Sequence, residues 1–105
     1  MVAFFKNATM PIFDWDAEKA RTNLSKHGVA FEDATVVWSD PLHVIYPDRV
    51  VDHEQRWHAV GVVGVVTVLL VVHIYIGDTG AERVRIISAR KATPWERKIY
   101  EQDNA

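Results

Sequence analysis

Three arginines near the end of the chain are the residues best suited to chemistry. Arg83, Arg85 and Arg90 lie within the run Glu82 to Tyr100, ERVRIISARKATPWERKIY. That run carries six Lys/Arg against two Glu, whereas the whole 105-residue chain has a net charge of −2. The positive charge is therefore local, and it sits beside Trp95 and Tyr100. A guanidinium donates two parallel hydrogen bonds to a phosphate, and an aromatic ring stacks on a base. The same residues would also serve as a solvated strand face and an ordinary charged helix. Arg56 and Lys91 add cations, as does Lys26 farther back. Lys26 and His27 suit a helix C-terminus equally well, where cations meet the dipole.

RNA can be cut by its own 2′-hydroxyl attacking the neighbouring phosphate. The reaction needs a base at that hydroxyl, an acid at the leaving 5′-oxygen, and cations around the phosphate. Histidine titrates in the right range for the proton steps. His58 and His73 are the candidates, with Tyr100 as a phenol that donates a proton or stacks on a base. The plainer reading of His73, near the end of an apolar run, is a core histidine bonded to backbone. Arg85 and Arg90 are expected to hold the phosphate, with Arg56, Arg83, Lys91 and Lys26 contacting RNA. Asp52, His53 and Glu54 are metal-ligand types in tandem, but neighbours on an extended chain point apart and no second cluster accompanies them. No metal site and no cofactor is expected. A small metal-binding protein using Asp52, His53 and His58 is the weakest reading.

The elements that must position these residues can be read in order. At this length the chain is one domain, 49% hydrophobic and 25% charged, which is globular composition. It has no cysteine, so disulfides and thiolate zinc sites are excluded and a reducing cytoplasm is expected. Residues 1–9 read as an extension. Ile12 to Trp15 reads as a short edge strand. Asp16 caps a helix to His27 with Ala17, Ala20 and Leu24 inward, and Gly28 stops it. Phe31 to Trp38 reads as a second helix, ended by Asp40-Pro41. Leu42 to Tyr46 reads as a strand, Pro47 to Gln55 as a polar loop, and Gln55 to Val63 as the next strand, with Arg56 and His58 on one face. Gly64 turns the chain into Val66 to Ile76, apolar on both faces, as in a strand covered on both sides. At 15 residues, the run Val62 to Ile76 is too short for a membrane helix, which needs about 20. Gly77 to Gly80 reads as a turn. Strict alternation then sets Arg83, Arg85 and Ile87 against Val84, Ile86 and Ser88. Thr93, Pro94 and Glu96 spell a capping box that opens the last helix. The order is strand, two helices, four strands and a helix. It predicts an α+β fold: a mostly antiparallel sheet of four to five strands with its helices on one face.

Several separated motifs also resemble the BrnT family. They are Phe13-Asp14-Trp15-Asp16, Lys26-His27-Gly28-Val29 with Phe31, Arg56, Gly61, His73, and Arg85-Ile86-Ile87-Ser88-Ala89-Arg90 followed by Ala92, Glu96-Arg97 and Tyr100. The resemblance runs from Met10 to about Glu101. It implies a RelE-like ribonuclease toxin of a type II toxin–antitoxin system. Such a toxin cuts RNA, free or on the ribosome, and so stops translation. A ribbon-helix-helix antitoxin would neutralise it, with operator DNA bound only through that antitoxin and no membrane involved. The competing reading is a non-catalytic module that binds the antitoxin as a corepressor, its nuclease surface decayed. An acidic chain binds nucleic acid poorly by its overall field, so an RNA role must rest on a local patch.

Overall fold

A five-stranded sheet forms the centre, ordered β1-β5-β4-β3-β2. The computed structural model describes residues 10–77 and 83–104. The expected extension at 1–9 and most of the turn at 77–80 lie outside the described residues. The strands are β1 (Ile12–Asp14), β2 (Val44–Val51), β3 (Glu54–Val63), β4 (Thr67–Tyr75) and β5 (Arg83–Lys91); the helices are α1 (Ala17–His27), α2 (Phe31–Ala34) and α3 (Pro94–Asp103). A 3-10 turn, Thr35–Ser39, follows α2, so the second predicted helix is split. β1 runs parallel to β5, while the other three neighbouring pairs are antiparallel. The sheet is thus mixed rather than mostly antiparallel, because α1 and everything up to β4 intervene between β1 and β5.

The helices do not share one face, contrary to the expectation. One core packs Phe31, Ala34, Val37 and Trp38 against Ala59, Leu69, Val71, Val84, Ile86 and Ala89. The other packs Val60, Val68 and Leu70 beneath Ala92 and Tyr100 of the α3 region. β4, the central strand, is apolar on both faces for this reason. Gly61 is where the 3-10 turn presses on β3: a Cβ there would meet Val37 Cγ1 at 3.0 Å and the Val37 carbonyl oxygen at 3.2 Å.

Two local surprises shape the functional face. β2 continues through Pro47 to Val51, with an irregular register between Pro47 and Val50, so most of the predicted loop is strand. The reversal falls on Asp52 and His53, whose φ angles of 51° and 66° are those of a two-residue hairpin turn. In β5, Val72 pairs with Ser88 but His73 pairs with Ile86. Ile87 is therefore an extra residue, a β-bulge. The predicted alternation holds through Ile86 and then slips by one.

Asn23 fixes the strand beyond the bulge. β1 pairs only with Arg83 to Arg85, which leaves the rest of that β5 edge without a strand partner. Asn23, 5% exposed, fills the gap. Its amide donates to the carbonyls of Ala89 (2.8 Å) and Val29 (2.9 Å), and its Oδ1 accepts from Ala89 N–H (3.1 Å). The predicted core residue Leu24 is instead 51% exposed. Replacing Asn23 by alanine strands three backbone groups, each costing about 1–3 kcal/mol when fully buried without a partner. Asn23→Ala is expected to lose about 2–4 kcal/mol and at least about 10 °C in thermal midpoint. A midpoint within about 2 °C of the parent would show that β5 does not need this clamp.

His73 belongs to the first core. It is fully buried, edge-on to Trp38 at 4.9 Å and to Tyr75 at 5.2 Å. Nδ1–H donates to the Val71 carbonyl and Nε2 accepts from the Tyr75 hydroxyl, both at 3.3 Å. Burial lowers its pKa from 6.5 to about 4, against the Val71 hydrogen bond, which raises it. Between those values the unfolded chain binds the extra proton, so stability must fall as pH drops from 6.5 towards 4. His73→Gln should flatten that limb of a urea-unfolding series, by about 3 kcal/mol at its acid end. An unchanged slope in the variant would remove His73 as the cause.

Candidate active site

The face opposite α1 and α2 collects the arginines. Residues paired directly across strands point to the same side. Arg85 pairs with Ile74, His58 with Val72 and Val72 with Ser88; Arg90 pairs with Leu70 and Leu70 with Val60. Arg56 lies two residues from His58 and Arg83 two residues from Arg85, each on the same side as its neighbour. The bulge matters here. Five residues separate Arg85 from Arg90, a spacing that on a regular strand would send them to opposite sides. The extra residue at Ile87 brings both to one face.

Two of these arginines are held by carboxylates. Arg85 donates from Nε and Nη2 to Asp14 at 2.9 and 3.3 Å, tying β5 to β1. Arg90 donates from Nη1 and Nη2 to Glu96 at 2.7 and 2.9 Å. The bonds from Arg90, ahead of the opposing effect of burial, lower the Glu96 carboxyl to about 2. Glu96 also accepts Thr93 N–H at 2.9 Å and completes the capping box, so the start of α3 and Arg90 are one unit.

His58 stands at the centre of this face. Its Nε2 lies 3.2 Å from an Asp48 carboxylate oxygen, and the Tyr46 ring meets it edge-on at 5.2 Å. Its Nδ1 is buried and has no hydrogen-bond partner, and the same is true of Arg56 Nε. Tyr46 lies near enough to Glu96, Arg90 and Asp48 to feel their charges. Burial first, and then Glu96, raises its pKa, so it stays a neutral phenol. The β2 irregularity, tied by Gln55 donating to the Asp48 carbonyl at 2.8 Å, is what carries Asp48 to this histidine.

The structure thus brings together Arg56, His58, Arg85 and Arg90, with Arg83 at the sheet's end. It does not bring His73, which faces the other core. Tyr100 packs at the edge of the second core and donates its hydroxyl to Asp40 at 2.7 Å. That bond raises its pKa to about 12. Asp40 also accepts from Val62 N–H and Leu42 N–H, both at 2.9 Å, so Tyr100 anchors α3 to the turn before β2. Lys26 lines a cleft of about 260 Å³ between α1 and the β5 bulge, and Lys91 lines one of similar size beside Val66 and Arg97. Both stand apart from the His58 cluster. Sequence reasoning missed Tyr46, Asp48, Glu96 and Asp14. Asp14 and Glu96 did carry a signal, as members of the motifs quoted for the resemblance. Asp52 and His53 serve the turn, and among the described residues no three metal-ligating side chains converge.

A model of the ribonuclease toxin BrnT, of type II toxin–antitoxin systems, matches residues 15–96. The 1.1 Å crystal structure of the Brucella abortus ribonuclease toxin BrnT aligns with a TM-score of 0.60 at 29% identity, over 81% of this chain and 99% of that one. Among curated proteins none matches the sequence. Among the described residues no helix is long and apolar enough to cross a membrane. A family match across most of the length, with the arginine-bearing strand and its capped helix inside it, shows that the chain belongs to the BrnT family of ribonuclease toxins of type II toxin–antitoxin systems.

Proposed function

We propose that this chain is a toxin endoribonuclease that cuts RNA on the open face of the sheet by attack of the substrate's 2′-hydroxyl. The observation that carries the reading is the one-residue slip at Ile87, which turns Arg90 to the face that holds Arg56, His58 and Arg85. His58 takes the 2′-hydroxyl proton on Nε2, the ring nitrogen that lies beside Asp48. The 2′-oxygen bonds to phosphorus and the bond to the 5′-oxygen breaks. The neutral Tyr46 phenol gives that oxygen its proton. The products are a 2′,3′-cyclic phosphate and a free 5′-hydroxyl. Arg90 and Arg56 stabilise the charge on the phosphate, and Arg85 and Arg83 steer the flanking backbone.

This reading moves the proton-transfer roles away from His73 and Tyr100, whose ring nitrogens and hydroxyl are committed inside the protein. We infer a RelE-like nuclease in which α1 and α2 back one side of the sheet and α3 covers only part of the other. The family implies an antitoxin and an RNA substrate. We infer that the antitoxin is of ribbon-helix-helix type, that operator DNA is bound only through it, and that the toxin acts in the cytoplasm on free or ribosomal RNA.

One observation favours a second reading, a non-catalytic antitoxin-binding corepressor. Asp14, Asp48 and Glu96 already neutralise much of the arginine face. Expression separates the two. Growth arrest with RNA cleavage supports the nuclease, and harmless expression of folded protein supports the module. Within the nuclease reading, Arg90→Ala should slow cleavage about 100- to 1,000-fold, as loss of a transition-state charge partner does. His58→Ala should cost about 100- to 10,000-fold. His73→Gln should cut at the parental rate per folded molecule. Full toxicity in Arg90→Ala, or collapse of the rate in His73→Gln alone, would overturn the assignment.

A further inference from the structure

Arg90 divides its guanidinium between two edges. The end edge, Nη1 and Nη2, is occupied by both oxygens of Glu96 at 2.7 and 2.9 Å. The remaining Nη1 hydrogen leans on the Lys91 carbonyl at 3.3 Å. The side edge, Nε–H with the second Nη2 hydrogen, meets no acceptor among the described residues. A guanidinium side edge presents two parallel donors, the spacing that two phosphate oxygens accept. The Arg90 side chain is 34% exposed, and that of Glu96 13%.

Glu96 is itself held. Its Oε1 accepts Thr93 N–H at 2.9 Å, its own N–H donates to Thr93 Oγ1 at 3.2 Å, and Pro94 fixes the first turn of α3. An arginine alone samples many rotamers, and freezing it on a substrate costs conformational entropy. Here that ordering is done by folding.

We propose that Glu96 is a positioning residue for the reaction: it grips the end edge of Arg90 and aims the side edge, Nε and Nη2, at the scissile phosphate. The inference rests on the nuclease reading of Arg90 and adds which atoms bind and what holds them. It also answers why a phosphate-binding arginine is paired with an acid. The carboxylate reduces the local positive charge, and in exchange the guanidinium holds one direction. Removing Glu96 should therefore strengthen loose RNA attraction while it harms turnover. Removing a carboxylate that simply blocked the site would raise both.

The test uses the full chain, with kcat and KM measured on a short RNA for the parent, Glu96→Gln and Thr93→Ala. Glutamine still serves a capping box but cannot match the charged two-oxygen grip. We expect Glu96→Gln to lose at least roughly 10-fold in kcat, as small misplacements of catalytic groups do, with KM unchanged or lower. Thr93→Ala, which weakens the cap and spares the pair, should stay within about twofold in kcat below its melting temperature. In parallel, the ¹⁵N resonance of Arg90 Nε–H is followed as a non-cleavable 2′-O-methyl oligonucleotide is added. A saturable shift in the parent supports the side edge as the phosphate contact. Three results would overturn the proposal: Glu96→Gln as fast as the parent or faster, equal losses in Glu96→Gln and Thr93→Ala, or no Nε shift at saturation. If the parent cuts no RNA, the nuclease reading fails on that arm, and the resonance still decides whether the fork takes phosphate.

Discussion

The structure depends on one inserted residue. Ile87 breaks the pairing between β4 and β5, and every side chain beyond it changes face. Without it, Arg90 would enter the apolar layer beneath α1 and α2, and Ala89 would point to the open face. A charge in that layer would cost several kcal/mol after any relaxation. The bulge is thus enforced by burial as much as by hydrogen bonding: Val84, Ile86 and Ala89 are all fully buried on one side, and only the slipped register allows it. Asn23 supplies the other half of the constraint. It bonds both backbone groups of Ala89, immediately after the slip, and holds the register where no neighbouring strand does.

The open face works by pairing opposite charges, not by accumulating one sign. Three of its groups are paired with acids: Asp14 on Arg85, Asp48 beside His58, Glu96 on Arg90. This resolves the tension between an acidic chain and an anionic substrate. A net charge of −2 gives weak long-range attraction, and the face compensates with donors fixed in direction. Preoriented donors stabilise developing charge without reorganising at the moment of reaction, which is where their advantage over mobile lysines lies. The face is therefore suited to discrimination of a bound phosphate more than to capture of a distant one.

Much of this was legible in the residues, and the misses share a cause. The caps of α1 and α3 were readable because Asp16, Gly28, Thr93 and Glu96 act on backbone only a few positions away. The core of α2 was readable because burial follows helical spacing. Whatever depends on contacts between distant segments was not. Asn23 gave no local signal, because its partner is 66 residues later. Pro47 suggested the end of a strand, but β2 is an edge strand and tolerates proline there. The position of α3 was also hidden. The two-sided apolarity of β4 says that both faces are covered, and leaves open which element covers which.

α3 is the joint between fold and chemistry. It makes few core contacts of its own and has no fully buried residue. Two anchors hold it instead, Tyr100 on Asp40 at its end and the Glu96–Arg90 pair at its start. Asp40 in turn accepts from Val62 on β3, so one anchor ties α3 to the strand that carries His58, and the other ties it to the strand that carries Arg90. A helix fastened this way couples the spacing of two strands to Arg90. Lifting α3 from the sheet would free Arg90 from Glu96. The polar anchors make such release cheaper than it would be for a helix sunk in an apolar groove, because freed carboxylates and guanidinium regain water.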